Sequence, residues 1–247
     1  SVPMRVVELP VSATEDRVVG TLDIEAAIRH GRKEFEAGIL AEANRSILYV
    51  DEINLLDDHI VDILLDSAAM GVNTVEREGI SYAHPARFVL VGTMNPEEGD
   101  IRPQLLDRFA LSVTVTGERE AKDRIEVVKR RIAYEQDAED FAASYREQQE
   151  ALRERIERAR ALLKSVAVAD RMLEKAAHIS LALGVDGHRA DITLIKAAMA
   201  NAAFSGRTEV EKEDMKAVSR LVLAHRLRRR PFEEGEVDWS AVDDILA

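Results

Sequence analysis

The sequence predicts an α/β fold, a parallel sheet sandwiched by helices, followed by an all-helical second half. Three observations lead there. Short β-rich runs alternate with helical stretches in the first half. Those runs are apolar on both faces, as strands of a parallel sheet covered on two sides must be. From Ala121 onward the apolar period becomes 3.6.

Each element follows in order. "MRVVELPV" is a short β-rich run closed by Pro10. Within residues 21–45, "TLDIEAAIRHG" suits either a short helix or one arm of a hairpin, and pattern alone does not choose. "SILYV" is the second strand and ends in two acids, Asp51 and Glu52. "DDHIVDILLDSAAMG" places Ile60, Ile63, Leu64 and Ala68 at helical spacing, with Asp57 or Asp58 as N-cap and Gly71 just past the end. "GVNTVEREGISYAHPARF" reads as a hairpin, Val72 to Arg77 going up, Gly79 at the turn and Ile80 to Tyr82 returning. "RFVLVGT" is the third strand, and the alternating "LSVTVTG" completes a set of four.

In the second half, Ile125, Val128 and Ile132 mark one helix; Leu152, Ile156, Ala159 and Leu163 mark another, whose dense Arg and Glu read as a solvated face. Three more helices are predicted near residues 170–183, 189–204 and 212–228, the last entered from "TEVE", which suits a capping box. The tail "PFEEGEVDWSAVDDILA" is acidic and weakly patterned, a fraying end or the start of a linker.

Composition narrows the function. With 46 acidic against 34 basic residues the net charge is −12, which argues against nonspecific nucleic-acid binding and makes any anion site local. The absence of cysteine excludes disulfides and thiolate metal sites. The six histidines, at 30, 59, 84, 178, 188 and 225, show no metal-ligand spacing, and His188 reads as structural. No apolar run approaches the roughly 18 residues that span a bilayer, and the first ten residues do not resemble a signal peptide. The expectation is a cytoplasmic protein with no membrane insertion. Arg226, Arg228, Arg229 and Arg230 complement the dipole of the helix they follow, with a partner-docking surface as the alternative.

In doubly wound sheets, ligands bind beyond the carboxyl ends of the strands, where Asp51 and Glu52 fall. Two carboxylates there repel each other unless a cation lies between them and an anionic ligand. Mg²⁺ on a nucleotide phosphate meets that need, with Asp51 holding the Mg²⁺ shell and Glu52 polarising the attacking water. The bland reading is a helix N-cap pair. Three features weigh against it. "VGTMNPEEGD" puts Asn95 beside the acids if the strands are neighbours, and an amide can orient a water without adding repulsion. "IRPQLLDRF" places Arg108 at a helix end, suited to insertion into a neighbouring subunit's site. Arg189 opens "HRADITLIKAA" at the helix end where the dipole disfavours a cation, so a separate reason for it is expected.

The run from "ILYVDEINLLDD" through "VGTMNPEEGDIRPQLLDRFALSV" resembles the AAA+ ATPase subunit (I subunit) of magnesium chelatase, and the resemblance extends over nearly the whole chain. It implies an AAA+ P-loop-type core at 1–118 without its Walker A strand and helix, a long helical connector at 119–165, a helical lid at 166–231 and an acidic tail at 232–247. It also implies that Asp51 and Glu52 are Walker B, Asn95 sensor 1, Arg108 an arginine finger acting on the adjacent protomer, and Arg189 sensor 2. The hairpin before sensor 1 and an insertion within residues 21–38 belong to the same pattern. ATP and Mg²⁺ are the implied cofactors. The implied partners are a homo-oligomeric ring, hexameric in the full-length protein, a bridging D-type subunit with a von Willebrand A domain, and a porphyrin-binding catalytic subunit; Mg²⁺ is inserted into protoporphyrin at the entry to chlorophyll synthesis.

One departure matters. No G-x-x-x-x-G-K-[ST] phosphate loop occurs in these 247 residues. The expectation is an N-terminally truncated form that alone neither binds ATP tightly nor hydrolyses it. Two rivals stand beside the motor: a chaperone-like MoxR-type AAA+ ATPase working with a von Willebrand A-domain partner, and a noncatalytic ring scaffold.

Overall fold

The computed structural model describes residues 4–23, 34–77, 80–99, 101–185, 187–227 and 239–247. The chain divides into two compact units, Ser1–Phe109 and Ala110–Ala247, earlier than the boundary at residue 118 suggested by sequence.

The first unit runs β1 (Val6–Glu8), α1 (Glu15–Val19), β2 (Gly20–Asp23), β3 (Glu34–Ala37), α2 (Ile39–Glu42), β4 (Ile47–Val50), α3 (Asp58–Met70), β5 (Val72–Arg77), β6 (Ile80–Pro85), β7 (Val89–Gly92) and α4 (Pro103–Leu106). Its sheet is parallel, ordered β1-β4-β7, with Leu48 opposite both Val7 and Leu90. β4 is central because its residues are β-branched, aromatic or aliphatic throughout. Leu48 and Val50 are fully buried, each contributing about 1.5–3 kcal/mol by leaving water. They pack in one core with Val18, Leu40, Ile53, Val61 and Leu64. The α3 helix forms as its caps predict: the Asp57 side chain accepts from His59 N–H at 2.8 Å, and Gly71 ends the helix at φ 70°.

Two hairpins flank the sheet. β2 and β3 pair antiparallel, so Thr21 to Asp23 use the hairpin alternative, while the rest of "TLDIEAAIRHG" falls within 24–33, outside the described residues. β5 and β6 form the expected second hairpin, extending to Pro85; Gly79, expected at the turn, lies outside the described residues. Phe35 and Tyr82 stack at 4.1 Å between ring centroids. The buried Asn73 amide donates to Val19 O at 3.1 Å and lies 3.0 Å from His84 Nε2. Gly20 has φ +101°, and a Cβ there would meet the Phe35 ring at 2.4 Å.

Two expectations need correction. The sheet was expected to be covered on both faces, yet the face bearing Val6 (67% exposed), Val89 (56%) and Val91 (40%) is open to solvent. "LSVTVTG" forms no strand: Val113 and Val115 are exposed, and Ser112 N–H donates to Leu221 O in the second unit. Alternation makes a strand only where an edge accepts its backbone groups.

The second unit holds α5 (Ala121–Gln136), α6 (Ala138–Ser144), α7 (Arg146–Leu162), α8 (Asp170–Ala182), α9 (Arg189–Phe204), α10 (Lys212–Leu223) and α11 (Ser240–Leu246). Its core is Met172, Ile179, Leu194, Met215 and Leu223 from α8 to α10. The stripe of Ile125, Val128 and Ile132 on α5 faces solvent, and on α7 Leu152 and Ile156 do too; of the stripe on α7, Ala159 reaches the core. The charged face of α7 is solvated as expected, with Glu150–Arg153 and Glu154–Arg158 pairs. Arg155 docks that helix, donating to Phe204 O at 2.9 Å and stacking 3.8 Å over the Phe204 ring.

The capping box of α10 sits three residues later than "TEVE" suggests. Glu211 is the cap, and its N–H donates to Asp214 Oδ2 at 2.9 Å. The tail also differs from expectation. Val242 and Leu246 of α11 are 4% and 3% exposed and join the core, because the spacing of Val242 and Ile245–Leu246 within "SAVDDILA" gives one apolar face. Arg226 is 8% exposed and its Nη1 donates to Val222 O, on the last turn of α10, as the dipole argument expects. The other arginines of that cluster, 228–230, lie outside the described residues.

Candidate functional site at the β4–β7 strand ends

The parallel register fixes the site. Val50 lies opposite Gly92, so the chain leaving β4 at Asp51 runs beside the chain leaving β7 at Thr93. Two backbone bonds tie the exits: Thr93 N–H donates to Val50 O at 3.0 Å and Ile53 N–H to Thr93 O at 2.9 Å. Gly92 permits the close approach, since a Cβ there would meet Ile53 Cγ2 at 3.0 Å.

The two acids are treated differently. Asp51 Oδ1 accepts from Thr93 Oγ1 at 2.6 Å and from the Tyr49 hydroxyl at 2.9 Å. The Thr93 hydroxyl first, and Tyr49 second, hold the Asp51 carboxyl below its ordinary value against a slight upward push from burial. Asp51 is thus kept as an exposed, oriented anion. Glu52 stands at φ 54°, ψ 51°, a left-handed conformation that a non-glycine residue adopts at a cost. Its N–H donates to Thr93 Oγ1 at 3.1 Å, so one hydroxyl fixes both acids. Repulsion from Glu98 first, then burial, Asp51 and a carboxyl–carboxyl hydrogen bond with Glu98, pushes the Glu52 carboxyl up.

Asn95 lies two residues past Thr93, exposed, and caps the short 3₁₀ turn Pro96–Glu98 by accepting from Glu97 N–H at 3.3 Å. Arg108 follows α4, and its Nη1 meets Asp66 at 2.7 Å and Asp62 at 3.2 Å. Arg189 is the first residue of α9 in the second unit, where it lines an open cleft of about 580 Å³ with Ala110, Leu111, Ile192, Thr193, Lys196 and Ala197. The structure therefore joins Asp51, Glu52 and the Asn95 loop at one strand end. Sequence reasoning passed over Thr93, Tyr49 and Glu98. Thr93 was legible in principle, as the residue that follows the neighbouring strand at the level of Asp51.

The donor set suits a hard cation: an exposed, ionised carboxylate at a strand end, with hydroxyls holding its orientation. Mg²⁺ is bound by one or two such carboxylates together with substrate phosphates.

Comparison with known proteins decides the family. The model for "Magnesium chelatase, subunit ChlI" matches residues 22–105 and that for "AAA lid domain" matches 173–245. A magnesium-chelatase subunit ChlI homologue of Methanocaldococcus jannaschii is 54% identical over 98% of this chain and 67% of its own length. The chain belongs to the magnesium chelatase ChlI family. Within that family, the magnesium-chelatase 38 kDa subunit of Cereibacter sphaeroides is 53% identical over 94% of this chain and 70% of its own. The chain thus spans about two thirds of the length of these relatives. A crystal structure of an ATPase-like protein from Cytophaga hutchinsonii shares the fold, at TM-score 0.66 and 18% identity over 98% of this chain and 76% of that one. The ChlI match spans β4 and β7 of the parallel sheet, and the AAA lid match runs to Ile245, within α11, which the sequence left as a tail. Among the described residues no helix is long and apolar enough to cross a membrane.

Proposed function

We propose that the β4–β7 strand ends form a MgATP hydrolysis site, and that the protein is the ATPase motor of a magnesium chelatase serving chlorophyll synthesis. The observation that carries this is the Asp51–Thr93–Glu52 cluster, which holds one acid ionised and shifts the other upward within a single hydrogen-bonded unit. Asp51 would hold Mg²⁺, through water, and the ion would neutralise charge on the phosphates. Glu52 accepts a proton from the attacking water, a role its raised pKa favours by increasing basicity. Asn95 orients that water with an uncharged amide. Arg108 reaches the nucleotide of an adjacent protomer in a hexameric ring, and Arg189 contacts phosphate from the lid.

Hydrolysis in the ring drives a separate porphyrin-binding subunit through a bridging D-type subunit with a von Willebrand A domain, and Mg²⁺ enters protoporphyrin there. The 247 residues alone, without a phosphate loop, bind ATP weakly and do not hydrolyse it. Two experiments test the reading. ATP-dependent Mg²⁺ insertion into protoporphyrin, assayed with the full-length protein and both partner subunits, should require this subunit; insertion at an equal rate without it contradicts the assignment. Calorimetry on the 247-residue chain should show no micromolar nucleotide affinity, and finding such affinity contradicts the last expectation.

A further inference from the structure

Along α3, Asp58, Asp62 and Asp66 recur every fourth residue and so share one helix face. Asp58 pairs with Arg102, while Asp62 and Asp66 both take Arg108. Both contacts fall on the same nitrogen: Nη1 lies 2.7 Å from Asp66 Oδ1 and 3.2 Å from Asp62 Oδ1. A guanidinium has five N–H donors in a planar fork, and its Nε–Nη2 edge can grip two oxygens side by side. Among the described residues that edge of Arg108 has no partner, and the side chain is 33% exposed. Arg207 in the second unit shows the contrasting arrangement. It gives Nη1 and Nη2 to the two oxygens of one buried carboxylate, Asp214, and so uses its fork for stability.

The platform under Arg108 is rigid. Ile60, Val61, Leu64 and Leu65 of α3 are all buried, which fixes the opposite face that carries Asp62 and Asp66. Holding a cation there has little value for folding, since exposed pairs contribute about 0–1 kcal/mol. Its consequence is geometric: one nitrogen is tethered to α3, while the Nε–Nη2 edge keeps its donors unpaired among the described residues.

We propose that Asp62 and Asp66 are positioning residues for Arg108, pinning Nη1 to α3 so that the Nε–Nη2 edge meets two phosphoryl oxygens of a nucleotide held by a neighbouring copy. This rests on the reading of Arg108 as acting in an adjacent protomer's site. The test uses the full-length protein and compares wild type, Asp62→Asn/Asp66→Asn, Arg108→Ala and the triple variant. Steady-state ATP hydrolysis, ring assembly by sedimentation and thermal midpoint are measured for each.

The double variant should lose about 10- to 100-fold in kcat, with KM for MgATP, assembly and thermal midpoint near wild type. In the Arg108→Ala background the same two changes should cost nothing further, because they act through that arginine. Wild-type or faster turnover in the double variant, or a full second loss in the Arg108→Ala background, overturns the proposal. Normal turnover by Arg108→Ala overturns the reading beneath it as well. An inactive Arg108→Ala beside a normal double variant removes only the positioning role.

Discussion

Thr93 shows how much one hydroxyl settles at the strand end. It donates to Asp51 and accepts from Glu52 N–H, so it orients an anion and stabilises a left-handed backbone at once. Thr93→Val keeps the shape and removes both bonds. ATP hydrolysis by the full-length protein should then fall about tenfold or more, as when a positioned polar contact at a reacting centre is lost; an unchanged kcat would mean that the cluster is structural only. The acids themselves were legible in the sequence, because a core strand ending in adjacent charges is costly without a ligand. Thr93, Tyr49 and Glu98 were not, since a hydroxyl gains its meaning only once register places it, and Glu98 acts on Glu52 from 46 residues' distance along a loop.

At the scale of elements, caps and periods read well where an element has a partner. The α3 helix has the predicted cap and stop, and both hairpins pair along the runs available to them. "LSVTVTG" read as a strand and forms none, and the stripe that marks α5 makes a helix yet is exposed, because periodicity reports what a segment can cover and says nothing about whether a partner is present. The second unit depends on Asp214, fully buried and bonded to the Arg207 fork, Asn201 and Glu211 N–H.

Burial pushes its carboxyl up, and these partners together outweigh that and hold it below the ordinary value. The stabilisation is therefore present above about pH 4, the unfolded carboxylate's value, and is lost as pH falls through the lowered native one. Asp214→Asn should destabilise the unit by about 3–5 kcal/mol at neutral pH, and the gap in thermal midpoint from wild type should shrink on acidification; a gap independent of pH would contradict this. Leu246→Ala should cost a further 2–4 kcal/mol or so by leaving a cavity, where a fraying tail would cost nothing measurable.

For the whole molecule, the proposed arrangement has one chain supply Asp51 and Glu52 to its own site and Arg108 to its neighbour's. Mixing inactive Asp51→Asn with inactive Arg108→Ala full-length protein should restore part of the hydrolysis, since some interfaces then combine an intact site with an intact arginine. Mixtures as inactive as their components would place both residues in one protomer's site. The family and its two-part fold were legible from motifs spread along the chain, because each motif sits where a strand or helix ends and the fold positions such ends. The division at Phe109 was less so, because residues 110–119 carry a strand-like pattern without forming a strand.

The most direct test of the strand-end site is Glu52→Gln in the full-length protein, with MgATP binding and hydrolysis measured side by side. Binding should stay within a few-fold of wild type while hydrolysis falls by about 10²–10⁴-fold, as expected when a proton acceptor is removed. Hydrolysis at the wild-type rate by Glu52→Gln would contradict that role.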